Sequence, residues 1–439
     1  MNNFRLFPLS LALASAFSMP VQAQSLVDLY ESARGFDATY QSAKSQFDAN
    51  LAKAEQAKSA LLPSANLGMA INRVNIGSDI STLERSYGNQ SATLSASQPL
   101  YRPANAATAE QGKRQLTLAQ AQLTAAEQDL MVRVSQAYFD VLAATDSVTF
   151  VKSQKTAVAE QLASAKRNFE VGTSTITDSR EAQARFDLVV AQEIAAENDL
   201  RVKSLALSQL VGKQDAAPKP LQAPVVLAPV APSDIGQWVV QSQDNHPGIK
   251  QLGVALDVAK LETQKAEAGH KPTVDLTGSY STVNNNGSST GLGDSRINVA
   301  TLGVSLNLPL FAGYSIQNRV KETLALEDKA RADLEATQRA VAQGTRTAFF
   351  GVQSGQAQVK ALEAAETSSQ SALDANKLGY QVGVRINIDV LNSQSQLYDT
   401  KAKLAKARYD VLVGGLKLRQ AAGTLNADDL QAINTQLAK

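Results

Sequence analysis

Hydrophobic residues follow a helical spacing in some segments of the chain and a strand-like alternation in others, and the same order of segments occurs twice. Residues 25–61 and 233–268 are rich in Ala, Leu, Lys and Gln, and each stretch ends shortly before a proline, which predicts helices. Each stretch is followed by two runs in which apolar and polar residues alternate, which predicts a pair of strands. Loops rich in Gly, Ser and Asn at 75–90 and 284–296 join the members of each pair as hairpins.

The four strand runs are ANLGMAIN and SATLSAS in the first half of the chain and TVDLTGSY and TLGVSLNL in the second. Each run has one apolar face and one small, polar face, as expected of strands that cross an outer membrane between lipid and water. An ordinary soluble sheet packed on helices is the alternative. Four strands cannot close on themselves, and an open edge in lipid leaves backbone groups unsatisfied. If these strands span the membrane, several chains must therefore contribute their strands to one shared sheet.

After Pro103 and Gly313 the helical pattern continues for roughly 65 residues, which is about 100 Å at 1.5 Å per residue. Small or apolar residues recur there near every seventh position, which predicts lateral coiled-coil packing. The recurring positions are Leu116, Leu123, Leu130, Ala137, Val151, Val158 and Ala165 in the first half and Val341, Ala348, Val352 and Val359 in the second. Glu327 and Glu366 interrupt the second series.

Both long helices meet a glycine-containing break, FEVGTSTITD at 169–178 and YQVGVRINID at 380–389. Roughly 35 further helical residues follow each break, up to another glycine. The pattern predicts a turn between two helices at each break, with Gly172 and Gly383 ending one helix and polar residues capping the next.

Four landmarks recur in the same order at offsets of 209 to 211 residues, which predicts a tandem duplication. They are Pro63 with Pro272, Pro99 with Pro309, AYFDV at 137–141 with AFFGV at 348–352, and Val171-Gly172 with Val382-Gly383. The predicted organisation is a first repeat over 24–213, a proline-rich linker or strap over 214–234, a second repeat over 235–425 and a C-terminal tail over 426–439.

Residues 1–23 combine Arg5, a short apolar stretch and small residues before Gln24, which predicts a secretory signal peptide. No later segment approaches the ~20 continuous apolar residues of a membrane helix.

The chain has 42 Lys and Arg and 41 Asp and Glu, and loss of Arg5 makes the numbers equal. No net charge therefore attracts nucleic acid, and no nucleic-acid partner is expected. The absence of Cys excludes disulfides, thiolate chemistry and a lipidated cysteine.

The chain resembles TolC-type outer-membrane efflux and type I secretion channels in several features taken together. These are the signal peptide, the LLP before the first strand, the QPLY and LPLF junctions, the VG…TD and YxVG…ID turns and the repeat. The resemblance covers residues 24 to about 430. It implies a mixed α and β membrane protein, a homotrimer whose twelve strands form one β-barrel in the bacterial outer membrane. The helices continue this barrel as an α-helical barrel through the periplasm. The implied partners are a periplasmic adaptor (membrane fusion) protein, an inner-membrane transporter and outer-membrane lipid.

Little in the sequence favours an enzyme. His246 and His270 are the only histidines and lack a partner motif, so capping or surface roles are expected, with no catalytic residue, metal or cofactor. Trp238 is expected to pack or to lie at an interface. Tyr101 and Phe311, at the ends of the second strands, fit either an interfacial aromatic girdle or packing at the corner. The alternative to a channel is a secreted or surface-attached coiled-coil stalk or adhesin, which would be soluble without detergent.

The resemblance also implies a gate where the helix turns form the periplasmic mouth of the channel. The implied gate residues are Thr177, Asp178, Tyr380 and Arg385. It further implies an acidic ring beneath the gate, built in the family from two aspartates of each chain. Asp389 matches the first of these aspartates, whereas Asn392 stands at the position of the second. Glu181 is equivalent to Asn392 at the 211-residue offset, and it is a candidate to restore part of that acidity.

Overall fold

A computed structural model describes residues 23–77, 85–287 and 293–438, so nearly all of the predicted signal peptide lies outside the described residues. The chain divides into two compact units. The helical unit comprises Met1–Gln41, Ala126–Ser242 and Gln343–Lys439, and the sheet unit comprises Ser42–Ala125 and Gln243–Ala342.

The described residues form nine α-helices and four strands. The helices are α1 Leu26–Phe36, α2 Ala38–Ser59, α3 Pro103–Glu170, α4 Ile176–Val211, α5 Ile235–Asn245, α6 Pro247–Glu267, α7 Ser315–Gln381, α8 Asn387–Ala421 and α9 Ala427–Asn434. The strands are β1 Ser64–Ile76, β2 Arg85–Tyr101, β3 Thr273–Asn286 and β4 Asp294–Asn307. The predicted mixed α and β fold is confirmed, and α3 and α7 have 68 and 67 residues. Helix α9 lies where a tail was predicted.

Each predicted opening helix is divided in two, which the sequence interpretation missed. In the second half the break falls at His246, which has ψ 123° and precedes Pro247. A proline disfavours helical backbone at the residue before it, and it fits the first position of a new helix. The His246 ring caps that helix, because its Nδ1 accepts a hydrogen bond of 3.1 Å from the Gly248 amide. Burial lowers the pKa of His246, which favours the neutral, accepting ring.

In the first half the break falls at Asp37, which has ψ 116°. The Asp37 carboxylate accepts a hydrogen bond of 2.9 Å from the Tyr40 amide and so caps α2. Arg133 of α3 donates to both Asp37 oxygens, at 3.1 and 2.9 Å, and its Nε donates to Asp129 at 2.6 Å. Asp37 is only 8% exposed, so this bidentate partner compensates for a nearly buried charge.

Replacing Arg133 by Met is expected to destabilise the helical unit by about 3 kcal/mol, because the substitution leaves the Asp37 carboxylate buried without its cation. Asp129→Asn is the matched control, since it removes only the exposed arm of the network and should cost less than about 1 kcal/mol. Thermal unfolding of the purified variants followed by circular dichroism measures the difference. Equal melting temperatures for the two variants would contradict the assigned role of the Arg133–Asp37 pair.

The same network should make stability depend on pH with a definite sign. The hydrogen bonds from Arg133 are the main cause of a lowered pKa of Asp37 in the folded chain. A lowered carboxyl pKa stabilises the fold at pH values above the unfolded-state pKa, and this stabilisation is lost as the pH falls through the folded-state pKa. The difference between wild type and Arg133→Met should therefore shrink in acid.

The sheet unit contains an antiparallel sheet in the order β1-β2-β3-β4. Leu67 lies opposite Leu94, and Leu94 lies opposite Tyr280. Leu276 of β3 lies opposite Val304 of β4. Directly opposite residues share a face, so apolar side chains from all four strands form one apolar face. Its exposed members are Leu67, Met69, Ile71, Leu94, Leu276, Tyr280, Leu302, Val304 and Leu306.

The other face of the sheet is mostly small and polar, although Val283, Ile297 and Val299 lie on it toward the hairpin loop. The Thr93 and Ser281 hydroxyl oxygens lie 3.0 Å apart, and Asn89 donates a 2.7 Å hydrogen bond to Asn285. The strands have 13 to 17 residues and extend past the apolar runs, because backbone pairing continues into polar sequence. Within the described residues, none of the helices combines the length and the apolar run that a membrane crossing requires.

The helical unit is built around coiled-coil seams, as the seven-residue spacing predicts. Of the predicted seam positions, Leu130, Val158, Ala165, Val352 and Val359 are at most 5% exposed. Val158 and Ala165 pack with α4 and with Leu391 of α8. The core around Val352 and Val359 also contains Trp238, Phe349, Leu404, Ala407, Val411, Leu418 and Ala422. Trp238 is thus a packed core residue, and its Nε1 donates to the Pro232 carbonyl at 2.8 Å.

Candidate functional site at the two helix turns

Both predicted turns are present and have nearly the same backbone geometry. Gly172 and Gly383 have φ 77° and 79°, a left-handed conformation that glycine adopts without steric cost. The Thr173 amide donates to the Asn168 carbonyl at 2.8 Å, and the Val384 amide donates to the Gly379 carbonyl at 2.9 Å. Each long helix therefore ends in a closed turn, and the following helix begins within a few residues.

The first turn uses its aspartate to start helix α4. The Thr175 hydroxyl accepts from the Asp178 amide at 3.2 Å, and the Asp178 carboxylate accepts from the Thr175 amide at 3.0 Å, which forms a capping box. The Ser174 hydroxyl donates to the same carboxylate at 2.6 Å and is the main cause of its lowered pKa. Asp178 thus stabilises the turn at neutral pH, and this contribution is lost as the pH falls through its lowered pKa.

The second turn carries an aspartate at the equivalent place without that role. Asp389 is equivalent to Asp178 at the 211-residue offset, but Ile386 replaces the capping Thr175 and provides no side-chain cap. The Asp389 carboxylate lies 3.7 Å from Arg385 Nη1, a distance longer than a hydrogen bond. Its side chain is 34% exposed, so the charge is available to solvent and to solutes.

Tyr380 joins the two turns within one chain. The Asn168 side-chain amide donates to the Tyr380 hydroxyl at 3.1 Å. The Tyr380 ring packs against Leu373, Val390 and Leu397 at the end of the α7–α8 hairpin. The sequence interpretation named Tyr380 but missed Asn168. The only sequence feature that could have pointed to Asn168 is a difference between the repeats: at the 211-residue offset its equivalent is Gly379.

The predicted contact between Asp178 and Arg385 is not formed inside the described chain. Asp178 bonds within its own turn, and Arg385 lies nearest to Asp389. Thr177 occupies the first turn of α4 with its side chain exposed. The tie of Thr177 and Asp178 to Tyr380 and Arg385 stays a prediction, and it now concerns contacts between neighbouring chains.

A further polar contact joins α4 to α8 near the predicted acidic ring. Arg185 Nη2 of α4 donates to the Asn392 side-chain oxygen of α8 at 2.5 Å. Asn392 lies three residues after Asp389 and therefore on the same face of α8. Glu181 is exposed and lies four residues before Arg185, on the same face of α4. The sequence interpretation named Glu181 and missed Arg185.

Comparison with known proteins gives one consistent result. The family model described as outer membrane efflux protein matches residues 29–213 and 238–424. The outer membrane protein TolC of Vibrio cholerae is 33% identical over 437 residues, covering 99% of this chain and 98% of the relative. The alkaline protease secretion protein AprF of Pseudomonas aeruginosa is 30% identical over 421 residues, covering 94% of this chain and 87% of the relative. The crystal structure of the outer membrane protein VceC from Vibrio cholerae shares the fold, with a TM-score of 0.77 at 18% identity, covering 91% of this chain and 96% of that one.

Proposed function

The chain belongs to the outer membrane efflux protein family, and on that premise we propose that it is the passive exit duct of a tripartite efflux or type I secretion system. It works as a homotrimer in the outer membrane and extends into the periplasm. An inner-membrane transporter supplies the energy, and a periplasmic adaptor connects the two and opens the duct. The chain itself catalyses no reaction.

The strongest support for a pooled membrane-spanning sheet is the geometry of the four strands. One face is apolar and exposed in the single chain, with Leu302 at 81% and Ile71 at 80% exposure, and the other face is mostly small and polar. Strands β1 and β4 are the edges of the sheet, so each has one row of unpaired backbone groups. In lipid such groups cost several kcal/mol each. Pairing of β4 in one chain with β1 in the next satisfies both edges.

Leu302→Arg is expected to abolish insertion into the outer membrane, because an arginine on a lipid-facing position near the middle of a strand costs about 2–4 kcal/mol per chain. Thr301→Arg is the matched control, since this neighbouring position faces the polar side opposite Ser279. Outer-membrane fractionation and the oligomeric state in detergent measure the outcome. If both variants insert equally, or if the wild-type protein is a soluble monomer without detergent, the proposal is wrong.

Exposed aromatic residues between the strands and the long helices favour contact with lipid headgroups. Tyr101 ends β2 as predicted, but the prediction that Phe311 ends the second strand of its hairpin is wrong, because β4 ends at Asn307 and Phe311 lies in the connection to α7. Tyr101 is 47% exposed, and Phe311 is 73% exposed and stacks edge-to-face on Tyr314 with ring centroids 5.5 Å apart. Aromatic rings of this kind concentrate at membrane–water interfaces. A secreted stalk or adhesin has no use for such rings beside an exposed apolar sheet, and membership of the efflux family does not support that alternative.

At the mouth, we place the gate at the two turns. The first-copy turn presents Thr177 and Asp178, and the second-copy turn presents Tyr380 and Arg385. The second-copy side chains can donate hydrogen bonds to the Asp178 carboxylate of a neighbouring turn. Adaptor binding to the turns then competes with these contacts and opens the duct.

A further inference from the structure

Arg185 places a positive charge beside the predicted acidic ring. Its guanidinium is held by the side-chain oxygen of Asn392, on the face of α8 that also carries Asp389. Arg385 lies 3.7 Å from Asp389 on the other side, at the turn. Arg185 and Arg385 therefore accompany the two predicted ring acids, Asp389 and Glu181, in every chain.

The neutral partner of Arg185 matters for its charge. An aspartate at position 392 would form an ion pair with the guanidinium and cancel most of its field. Asn392 orients the guanidinium through a hydrogen bond and adds no negative charge of its own. The replacement of an acid by Asn392 thus has two effects at the mouth, the loss of one carboxylate and the display of one cation.

We propose, building on the proposed function, that Arg185 is a selectivity-determining residue of the periplasmic mouth. Three symmetry-related guanidiniums offset the Asp389 carboxylates and reduce the preference of the mouth for cations. Rings of fixed charge near a constriction set ionic selectivity through the local potential. The expected ligands of these guanidiniums are small inorganic anions and the anionic groups of passing solutes. Such groups can enter the mouth because the guanidiniums reduce their repulsion by the Asp389 carboxylates.

Reversal potentials of single channels in planar bilayers under a potassium chloride gradient test the proposal. Arg185→Gln should raise the potassium-to-chloride permeability ratio on the order of twofold or more, because the acids then act without their counter-charge. Arg185→Lys keeps the charge and should stay near wild type. Arg180→Gln removes the same charge from an exposed position on α4, about 140° around the helix from Arg185, and is the matched control.

A second substitution separates charge from structure. Asn392→Asp alone should raise the potassium-to-chloride permeability ratio about as much as Arg185→Gln, because the new carboxylate pairs with Arg185 and cancels the charge that offsets Asp389. The double variant Arg185→Gln with Asn392→Asp should show still higher cation selectivity and stronger block by trivalent cations. Asn392→Asp therefore tests the charge of Arg185 while the arginine side chain itself stays in place.

The possible failures are distinguishable. Normal channels with unchanged selectivity in Arg185→Gln would remove Arg185 from the conduction path and leave the duct function standing. A shift of equal size in Arg185→Lys would show that only the hydrogen bond to Asn392 matters. Unchanged selectivity in Asn392→Asp would also overturn the proposal. The absence of channels from the wild-type protein itself would overturn the duct function together with this inference.

Discussion

Arg385→Ser combined with Tyr380→Phe is expected to hold the periplasmic mouth open, with higher single-channel conductance and inward leak of large antibiotics. An exposed ion pair is worth only ~0.2–1 kcal/mol, and a hydroxyl hydrogen bond about 0.5–1.5 kcal/mol. In the proposed trimer, three symmetric copies of both contacts would sum to a few kcal/mol, enough to keep the duct mostly closed. An adaptor that binds the turns can reverse a bias of this size.

The two substitutions are mild for the backbone. At the 211-residue offset, Arg385 is equivalent to Ser174 and Tyr380 is equivalent to Phe169, so the double variant gives the second turn the residues of the first. The first turn adopts nearly the same geometry with those residues, with φ of 77° at its glycine against 79° in the second. Trimer assembly should therefore be intact, and a change in conductance reports on the lost contacts.

Tyr380→Phe alone separates the contributions, since it removes the 3.1 Å hydrogen bond from Asn168 and keeps the ring in its apolar setting. It should open the mouth only in part. High salt should reproduce part of the opening in wild type by screening the Arg385 ion pair, and should have less effect on the double variant. Wild-type conductance in the double variant would show that Asp178, Tyr380 and Arg385 serve only as turn residues.

Local sequence patterns predicted those parts of the fold that local physics determines. The strand faces follow from alternation, the seams from seven-residue spacing, and the turns from Gly172 and Gly383. The break at His246 was also predictable, because Pro247 excludes helical backbone before it. The break at Asp37 was not, since its carboxylate is held by Arg133, 96 residues away.

The candidate site shows the same division more sharply. Asp178 could be predicted as a cap from its spacing to Thr175, because a capping box is a local motif. The Asn168–Tyr380 and Arg185–Asn392 contacts join residues 212 and 207 positions apart, and they arise only when the two hairpins pack together. The proposed tie between Asp178 and Arg385 depends in addition on neighbouring chains, which the sequence of one chain does not arrange.

Asp389→Ala is expected to lower cation selectivity and to weaken block by trivalent cations, while leaving the fold unchanged. In the proposed trimer, three Asp389 carboxylates near the narrowest point would concentrate cations and could bind multivalent ones. The fold should tolerate the change because Asp389 has no capping hydroxyl, since Ile386 precedes its helix. Asp178→Ala would be a poor test, because it also removes a helix cap worth about 1 kcal/mol.

Asp399→Ala is the matched control for Asp389→Ala, because it removes an exposed carboxylate ten residues further along α8 that is paired with Lys403 at 2.6 Å. Planar-bilayer selectivity and the concentration of trivalent cation needed for block should change in Asp389→Ala and not in the control. With Asn392 in place of a second acid, wild-type block should already be weaker than in a relative with six carboxylates. Unchanged selectivity in Asp389→Ala would remove Asp389 from the pore, and the acidity of the mouth would then have to come from Glu181 on the other hairpin.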